Sequence, residues 1–181
     1  MNAEADFQYI GVTSTNVASG PRHLAFHPTM SRCYVLTELS PAVEVFSYEN
    51  AAASFSRLQT IPTIQDSITV GRINPAAIKI HPNGQFLYVS NRGVEGAAAQ
   101  SIVQYKIDET EGTLTFVGKQ STKGLVPRDF TFDPSGQFML VANQNSDNIV
   151  TFRINATTGQ LEETGQSFEV ATPVCLVFGG E

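Results

Sequence analysis

The sequence predicts an all-β fold that is assembled from repeated four-stranded units. Similar stretches open at Pro21, Pro75 and Pro127, which are 54 and 52 residues apart, and a fourth opening follows 46 residues later at Pro173. Within each repeat apolar and polar residues alternate, which is the period of a strand, and Gly, Pro and Asn mark the turns. A period of roughly fifty residues with several strands per unit is typical of a β-propeller, in which each repeat forms one blade. The sequence therefore predicts a partial β-propeller with about three complete blades and one additional strand at each end.

The first half of each repeat has the same layout. Residues 20–38 read GPRHLAFHPTMSRCYVLTE, residues 75–92 read PAAIKIHPNGQFLYVSNR, and residues 127–144 read PRDFTFDPSGQFMLVANQ. Each copy has an opening proline, a short alternating strand, a His-Pro or Asp-Pro turn, and a second strand with a polar end. This layout predicts the innermost strand of each blade and its hairpin partner.

Blade one is predicted over residues 20–72. Its turns fall at His27-Pro28, Ser40-Pro41 and Glu49-Asn50. Its four strands are predicted at Arg22–Phe26, Arg32–Thr37, Ala42–Tyr48 and Phe55–Ile61. Before it, Phe7–Val12 also has a strand pattern, and the repeat register places it as the outer strand of a preceding blade.

Blades two and three are predicted over residues 73–124 and 125–170. Asn83-Gly84 and Ser135-Gly136 turn the first strand of each blade into the second. The predicted strands are Ala77–Ile80, Phe86–Ser90, Ser101–Lys106 and Leu114–Lys119, followed by Asp129–Phe132, Phe138–Ala142, Ile149–Ile154 and Leu161–Phe168. The last segment, Val174–Phe178, matches only a first strand and would begin a following blade.

Composition excludes several classes of protein. The 11 basic and 17 acidic residues give a net charge of −6, which argues against a nucleic-acid surface. No apolar run approaches the length of a membrane span, and the N-terminus lacks the pattern of a secretory signal, so we expect no membrane partner and a cytoplasmic location. Cys33 and Cys175 lack metal-site or redox spacing and are expected to be buried thiols. We find no convincing spacing for a metal site.

Polar side chains recur where the two inner strands of each repeat meet the predicted central channel. Arg22 and His23 open an inner strand, and Glu38 follows the neighbouring strand. The corresponding positions of the later repeats are Asn91, Arg92, Arg128, Asn143 and Gln144. Because equivalent positions of neighbouring blades lie at the same end of a propeller, we expect these side chains to converge on one face.

The repeats resemble one family. The segments GPRHLAFHP, IHPNGQFLYVSNR and PRDFTFDPSGQFMLVANQNSDNIVTFRI are similar to those of the seven-bladed propeller lactonases, which include 6-phosphogluconolactonase and carboxy-cis,cis-muconate cyclase. The resemblance covers residues 7–178 and extends only to the C-terminal half of that family. It implies a lactonase of the 6-phosphogluconolactonase type that needs no cofactor and acts on a small anionic lactone. A homodimer or a missing N-terminal half would then complete the propeller, because exposed strand edges favour further pairing.

Lactone hydrolysis needs a base for the attacking water and a cation for the developing oxyanion. Glu38 or His23 would be the base, and Arg22 would stabilise charge. The side chains expected to bind substrate are Arg92, Arg128, Asn91, Asn143 and Gln144. By resemblance, the family's site uses arginine and glutamate of this kind, and Arg22, Glu38 and Arg92 occupy the matching motifs.

Structural roles are the alternative for each of these residues. Arg22 and Glu38 would then form an ion pair between strands, Arg92 would be a solvated strand end, and Arg128 would pair with its neighbour Asp129. His27 and His81 precede a proline at the same turn, where Asp133 replaces them in blade three, so these three are expected to be turn residues.

Two other functions remain open from sequence. A muconate-type cyclising enzyme would hold a polycarboxylate with the same arginines, and a half-propeller without catalytic activity would serve as a binding scaffold. The discriminating feature is closure of the ring, because an open site weakens every electrostatic interaction in it.

Overall fold

The computed structural model describes residues 9–52, 54–64, 72–93 and 100–179. These residues form three antiparallel sheets of four strands, and within each sheet the strands are ordered as in the chain. The strands are β1 (Pro21–Phe26), β2 (Arg32–Thr37), β3 (Ala42–Glu49), β4 (Ser54–Pro62), β5 (Ile73–Ile80), β6 (Phe86–Gly93), β7 (Ser101–Ile107), β8 (Leu114–Ser121), β9 (Pro127–Phe132), β10 (Phe138–Asn143), β11 (Asn148–Ile154) and β12 (Leu161–Glu169). Within the described ranges, no helix has the length and apolar character needed to cross a membrane. The predicted all-β fold with three four-stranded units is confirmed.

The inner hairpin of blade two is longer than the sequence predicts. β5 begins at Ile73, four residues before the predicted start, and β6 continues to Gly93. The ladder closes because Ile73 pairs with Gly93 and Asn74 pairs with Arg92. Arg92 therefore belongs to a strand and is not a solvated strand end.

Apolar cores fill the space between neighbouring blades. Side chains alternate across a strand, so β6 sends Leu87 and Val89 to one face and Phe86 and Tyr88 to the other. The core between blades one and two contains Tyr34, Leu36, Val43, Val45, Ile78, Leu87, Val89, Val103, Tyr105, Ile107 and Leu114. The core between blades two and three contains Ala77, Phe86, Tyr88, Ile102, Phe130, Met139, Val141, Val150, Phe152, Ile154 and Leu161. Blade two is thus buried on both faces.

A tyrosine joins each blade to the outer hairpin of the next one. The Tyr34 hydroxyl donates to the Gly112 carbonyl oxygen at 2.8 Å, and the Tyr88 hydroxyl donates to the Gly159 carbonyl oxygen at 2.8 Å. Both tyrosines are fully buried, and burial raises the pKa of each phenol. Gly159 has a φ of +72° and lies against the Phe86 ring, where a Cβ atom would be 2.4 Å from the ring. Glycine is therefore required at this joint.

A histidine makes a second bond across each joint. The Nε2 atom of His27 lies 2.9 Å from the Gly84 carbonyl oxygen, and that of His81 lies 2.7 Å from the Gly136 carbonyl oxygen. Since a carbonyl can only accept, Nε2 carries the proton in both residues. Nδ1 of each ring accepts a backbone N–H of its own turn. The predicted turn role is confirmed, and the same side chains also connect the blades.

The structure does not form the two predicted end strands. Within the predicted strand at 7–12, Phe7 and Gln8 lie outside the described residues, and residues 9–12 are irregular with exposed side chains. Residues 174–178 are also irregular, and Cys175 is exposed whereas Cys33 is buried as predicted. The prediction is wrong at both ends because a strand needs a hydrogen-bonded neighbour, and none of the described residues supplies one there.

Blade one has an uncovered apolar face. Leu24 and Phe26 of β1 are 55% and 51% exposed, and with residues of β2 and β3 they line a groove of about 450 Å³. Beside this groove Glu44 is fully buried, where its carboxylate accepts the Asn16 backbone N–H at 2.9 Å and pairs with Arg57 at 3.0 Å. Residues ahead of blade one are thereby fixed against the same face.

Candidate active site

An open groove of about 770 Å³ runs along the innermost strands of the propeller. Arg22 and His23 line it on β1, and Lys79 lines it on β5. Farther along, His81 and Phe132 give it a more apolar end. The first strand of each blade thus faces the channel, as the repeat pattern predicts.

Glu38 lies between two arginines beside this groove. Its Oε1 atom is 2.5 Å from Nη2 of Arg92, and its Oε2 atom is 3.7 Å from Nε of Arg22. The Glu38 backbone N–H donates to the Gly20 carbonyl oxygen at 2.8 Å, which fixes the residue directly after β2. The predicted convergence of Arg22, Glu38 and Arg92 therefore takes place, with a carboxylate that is bridged by guanidinium groups from two blades.

Backbone carbonyls of β5 orient both arginines. Arg92 donates from Nε to the Asn74 carbonyl oxygen at 3.1 Å and from Nη2 to the Pro75 carbonyl oxygen at 3.3 Å. Arg22 donates from Nη1 to the Ala76 carbonyl oxygen. Because a guanidinium presents its donors in a fixed plane, these bonds determine which edge of each group faces Glu38.

His23 is held in its neutral form next to Arg22. Nη1 of Arg22 lies 3.0 Å from Nε2 and 3.3 Å from Nδ1 of His23, and since a guanidinium can only donate, the unprotonated ring nitrogen accepts from it. Burial lowers the pKa of His23 below its ordinary value of 6.5, and the charge of Arg22 lowers it further, whereas Asp129 opposes the shift. A neutral imidazole is therefore present in the groove at neutral pH, and its one acceptor nitrogen faces Arg22.

Positive charge accumulates at the end of the groove that Arg22 and His23 line. Burial lowers the pKa of the Arg22 guanidinium, the charges of Arg92 and Arg128 lower it further, and Glu38 and Asp129 act in the opposite direction. Arg128 forms no ion pair or hydrogen bond with any described residue, so its predicted pairing with Asp129 is absent. In a chain with a net charge of −6, this local excess of cations favours an anionic ligand.

One charged groove residue, Lys79, was missed by the sequence analysis. Lys79 lies 3.2 Å from the Asp129 carboxylate, which joins β5 to β9. The other oxygen of Asp129 accepts the Leu176 backbone N–H at 2.9 Å. The sequence signal for Lys79 was a lone cation in an otherwise apolar inner strand, AAIKI.

Of the predicted site residues, Arg22 and His23 line the groove. The others do not: Glu38, Arg92, Arg128, Asn91, Asn143 and Gln144. Asn91 and Asn143 are buried, and their Nδ2 atoms donate to the carbonyl oxygens of Thr63 at 2.8 Å and Thr122 at 3.0 Å. Each of these carbonyls follows the outer strand of the preceding blade, so both asparagines connect blades. The Gln144 backbone N–H donates to the Val126 carbonyl oxygen at 2.9 Å at the start of a 3₁₀ turn.

Comparison with known families settles the relationship of the chain. The family model described as “Lactonase, 7-bladed beta-propeller” matches residues 2–178. The chain belongs to this lactonase family.

Relatives of this lactonase chain are longer than the chain itself. The 6-phosphogluconolactonase of Bacillus subtilis is 38% identical over 160 residues, which are 88% of this chain and 44% of that protein. The 6-phosphogluconolactonase of Formosa agariphila is 38% identical over 170 residues, 93% of this chain and 46% of that protein. The solved structure of the Pseudomonas aeruginosa periplasmic gluconolactonase PpgL has a TM-score of 0.82 and 38% identity, and the match covers 90% of this chain and 43% of that one. The chain spans less than half the length of each of these proteins.

The site of this chain contains an imidazole, a carboxylate and, nearby, a guanidinium. His23 offers a neutral nitrogen base, Glu38 offers a carboxylate, and Arg128 offers a guanidinium without a protein partner among the described residues. A base within reach of a water and a cation at the developing oxyanion are the groups that accelerate ester cleavage.

Proposed function

We propose that this chain carries part of the active site of a lactonase that hydrolyses a sugar-derived lactone, as the relatives named 6-phosphogluconolactonase are described to do. The observation that carries the proposal is the pair of arginines on Glu38 beside a neutral His23. The family membership and the local excess of cations support it. Because the relatives are more than twice as long, their activity comes to this chain as a proposal.

His23 is the base in the proposed mechanism. It removes a proton from water, the resulting hydroxide attacks the lactone carbonyl carbon, and the ring C–O bond then breaks. The same imidazolium returns the proton to the ring oxygen, so the products are a hydroxy acid and the neutral enzyme. His23 is preferred over Glu38 because Glu38 faces two guanidinium groups, whereas the acceptor nitrogen of His23 faces only Arg22 and exchanges that contact for the attacking water.

Arg22 and Arg92 position the site, and Arg128 binds the substrate oxyanion. The first two are fixed by Glu38 and by carbonyls of β5, so their donors are partly occupied. Arg128 lies close enough to affect the pKa values of Arg22 and His23, yet no described residue forms an ion pair with it. Asn91, Asn143 and Gln144 support this face through contacts between and within blades.

Additional blades would complete the channel. Blade one has an uncovered apolar face, and the chain spans less than half the length of its relatives. A second copy or a missing N-terminal half would cover that face and would shield the groove from water, which strengthens its electrostatic interactions. Light scattering on a sizing column, with and without a separately expressed N-terminal half of a relative, distinguishes these partners.

The cytoplasmic location also remains a proposal. PpgL, which is similar in structure, is described as periplasmic. Fractionation of cells that express the native gene tests the location directly.

The hydrolysis proposal is tested by Glu38→Gln, with Glu49→Gln as the matched control. Glu49 is an exposed carboxylate at the end of β3, remote in sequence from the groove strands. We expect Glu38→Gln to lower kcat/KM for 6-phosphogluconolactone by roughly a hundredfold or more, because the two guanidinium groups lose the charge that orients them. Glu49→Gln should leave the rate unchanged.

Equal activity of Glu38→Gln and the wild type, at equal melting temperature, would remove Glu38 from the mechanism. If the folded wild-type chain hydrolyses no lactone, either the cyclising reaction or a purely binding role replaces the proposal. A cyclase would release or consume a lactone of a polycarboxylate, which the same assay detects when that substrate is supplied.

A further inference from the structure

Lys79 is a groove cation that the mechanism above does not use. It lies near the end of β5 and lines the same groove as Arg22 and His23. Its side chain is 33% exposed, so part of it is accessible to a ligand in the groove. A lysine in this position faces the channel and not bulk solvent.

Neighbouring groups hold the Lys79 ammonium in place. Its Nζ atom lies 3.2 Å from the Asp129 Oδ1 atom and 5.8 Å from the centre of the Phe130 ring. Asp129 is itself fixed, because its side chain is only 12% exposed and its Oδ2 atom accepts the Leu176 backbone N–H. The cation is thus preorganised, which reduces the entropic cost of binding a ligand.

The contacts of Lys79 leave donors free. An ammonium has three N–H donors, and Asp129 is its hydrogen-bonding or ion-pairing partner among the described residues. Two donors therefore remain for a ligand in the groove. The nearby charges of Arg22 and Arg128 favour a ligand group that carries more than one negative charge.

The position of Lys79 along β5 sets its distance from the reacting end of the site. Arg22 is bonded to the carbonyl of Ala76, three residues before Lys79. The charge of Lys79 is also among those that act on His23, so the two side chains lie within electrostatic reach of each other. In a six-membered sugar lactone the terminal carbon is attached next to the ring oxygen, close to the carbonyl carbon. A lactone carbonyl at His23 would therefore bring a phosphate on that terminal carbon toward Lys79.

We propose that Lys79 is the specificity-determining residue that binds a phosphate group on the terminal carbon of the lactone. The inference rests on the proposed function and adds the residue that distinguishes phosphorylated from unphosphorylated substrates. Asp129 acts as its positioning residue.

The test uses calorimetric titration of the full chain with 6-phosphogluconate and with gluconate, which differ only by the phosphate group. We expect the wild type to bind 6-phosphogluconate roughly tenfold more tightly or better, since one charge-assisted contact contributes about that factor. Lys79→Met should remove this preference and leave gluconate binding unchanged. Lys79→Arg should retain most of the preference, and Lys106→Met, which changes an exposed lysine on β7, should retain all of it.

Three results would overturn the inference: a wild type that does not distinguish the two acids, a wild type that binds neither, or a folded Lys79→Met variant that keeps the preference. A merely structural role for Lys79 would change the affinities for both acids together. Lactone hydrolysis is measured in parallel, so the two proposals can fail separately. Binding of phosphate through Lys79 without hydrolysis refutes the lactonase proposal alone, and hydrolysis with unchanged preference in Lys79→Met refutes the Lys79 inference alone.

Discussion

The joint between blades two and three offers the sharpest test of what stabilises this fold. Tyr88→Phe deletes one hydroxyl group and keeps the aromatic ring that the core requires. The hydroxyl donates to the Gly159 carbonyl oxygen at 2.8 Å in a fully buried site, so its loss leaves that carbonyl without this donor. A buried polar group without a partner costs about 1–3 kcal/mol. We therefore expect the free energy of unfolding to fall by about 2 kcal/mol.

The expected change in melting temperature follows from the size of the chain. For domains of 150–250 residues, about 1 kcal/mol lowers the melting temperature by roughly 2–4 °C, so Tyr88→Phe should lower it by roughly 4–8 °C. The matched control is Tyr48→Phe, because the Tyr48 ring contacts Phe26 and Phe55 while its hydroxyl bonds to no described residue. Thermal unfolding followed by circular dichroism measures both variants. A Tyr88→Phe variant that melts within 1 °C of the Tyr48→Phe control would refute a stabilising role for the joint.

The stabilisation that the Tyr88 hydroxyl contributes should depend on pH in a definite direction. Burial raises the pKa of Tyr88 above its ordinary value of 10.0, so the folded protein keeps the phenol neutral where the unfolded chain ionises. The stabilisation is complete below pH 10 and is lost as the pH rises above it. The difference in stability between the wild type and Tyr88→Phe should therefore shrink above pH 10.

The remaining predictions concern the groove. Because the pKa of His23 is lowered from 6.5, the midpoint of the acidic decrease in kcat/KM should lie below pH 6.5; a midpoint above pH 6.5 would contradict a neutral His23 base. Arg128→Gln removes a charge that lowers the pKa of His23, so the acidic limb of the same pH–rate profile should move to higher pH. If the limb does not move, Arg128 does not affect the pKa of His23. Because Arg128 is proposed to bind the oxyanion, which exists only in the transition state, Arg128→Gln should also lower kcat by roughly a hundredfold. Since Arg128 has no partner among the described residues, the melting temperature should change by less than about 1 °C.

The blades could be predicted from sequence because each strand carries its own period-two pattern and its own turn. The second strand of blade one, Arg32–Thr37, was predicted at the bounds that the structure shows. The end segments have the same local pattern, yet residues 9–12 and 174–178 remain irregular. Alternation makes a segment compatible with a sheet, but the sheet itself depends on a partner strand that local sequence cannot reveal.

The candidate site could be predicted only where it follows the repeat. Arg22, Glu38 and Arg92 converge because equivalent ends of neighbouring blades meet at the channel. The contact between Lys79 and Asp129 joins positions that are not equivalent in their repeats, so the repeat register gives no sign of it. Asn91 and Asn143 do occupy equivalent positions, but the register does not reveal which side chains turn inward to satisfy backbone carbonyls.

The histidine and tyrosine hydrogen bonds between blades run the same way, from side chains of one blade to backbone carbonyls of the next. This determines which blade could be duplicated with these bonds intact. Blade two supplies both donors, His81 and Tyr88, and its glycines receive the corresponding bonds from blade one. Blade three has Asp133 and Leu140 at the donor positions, so it has neither donor for a following blade. Of the three described blades, blade two is the one that both donates and receives these bonds. Duplication of blade two should therefore lengthen the array with both bonds intact. If two copies of the whole chain were joined end to end, the junction between blade three and the next blade one would have neither bond.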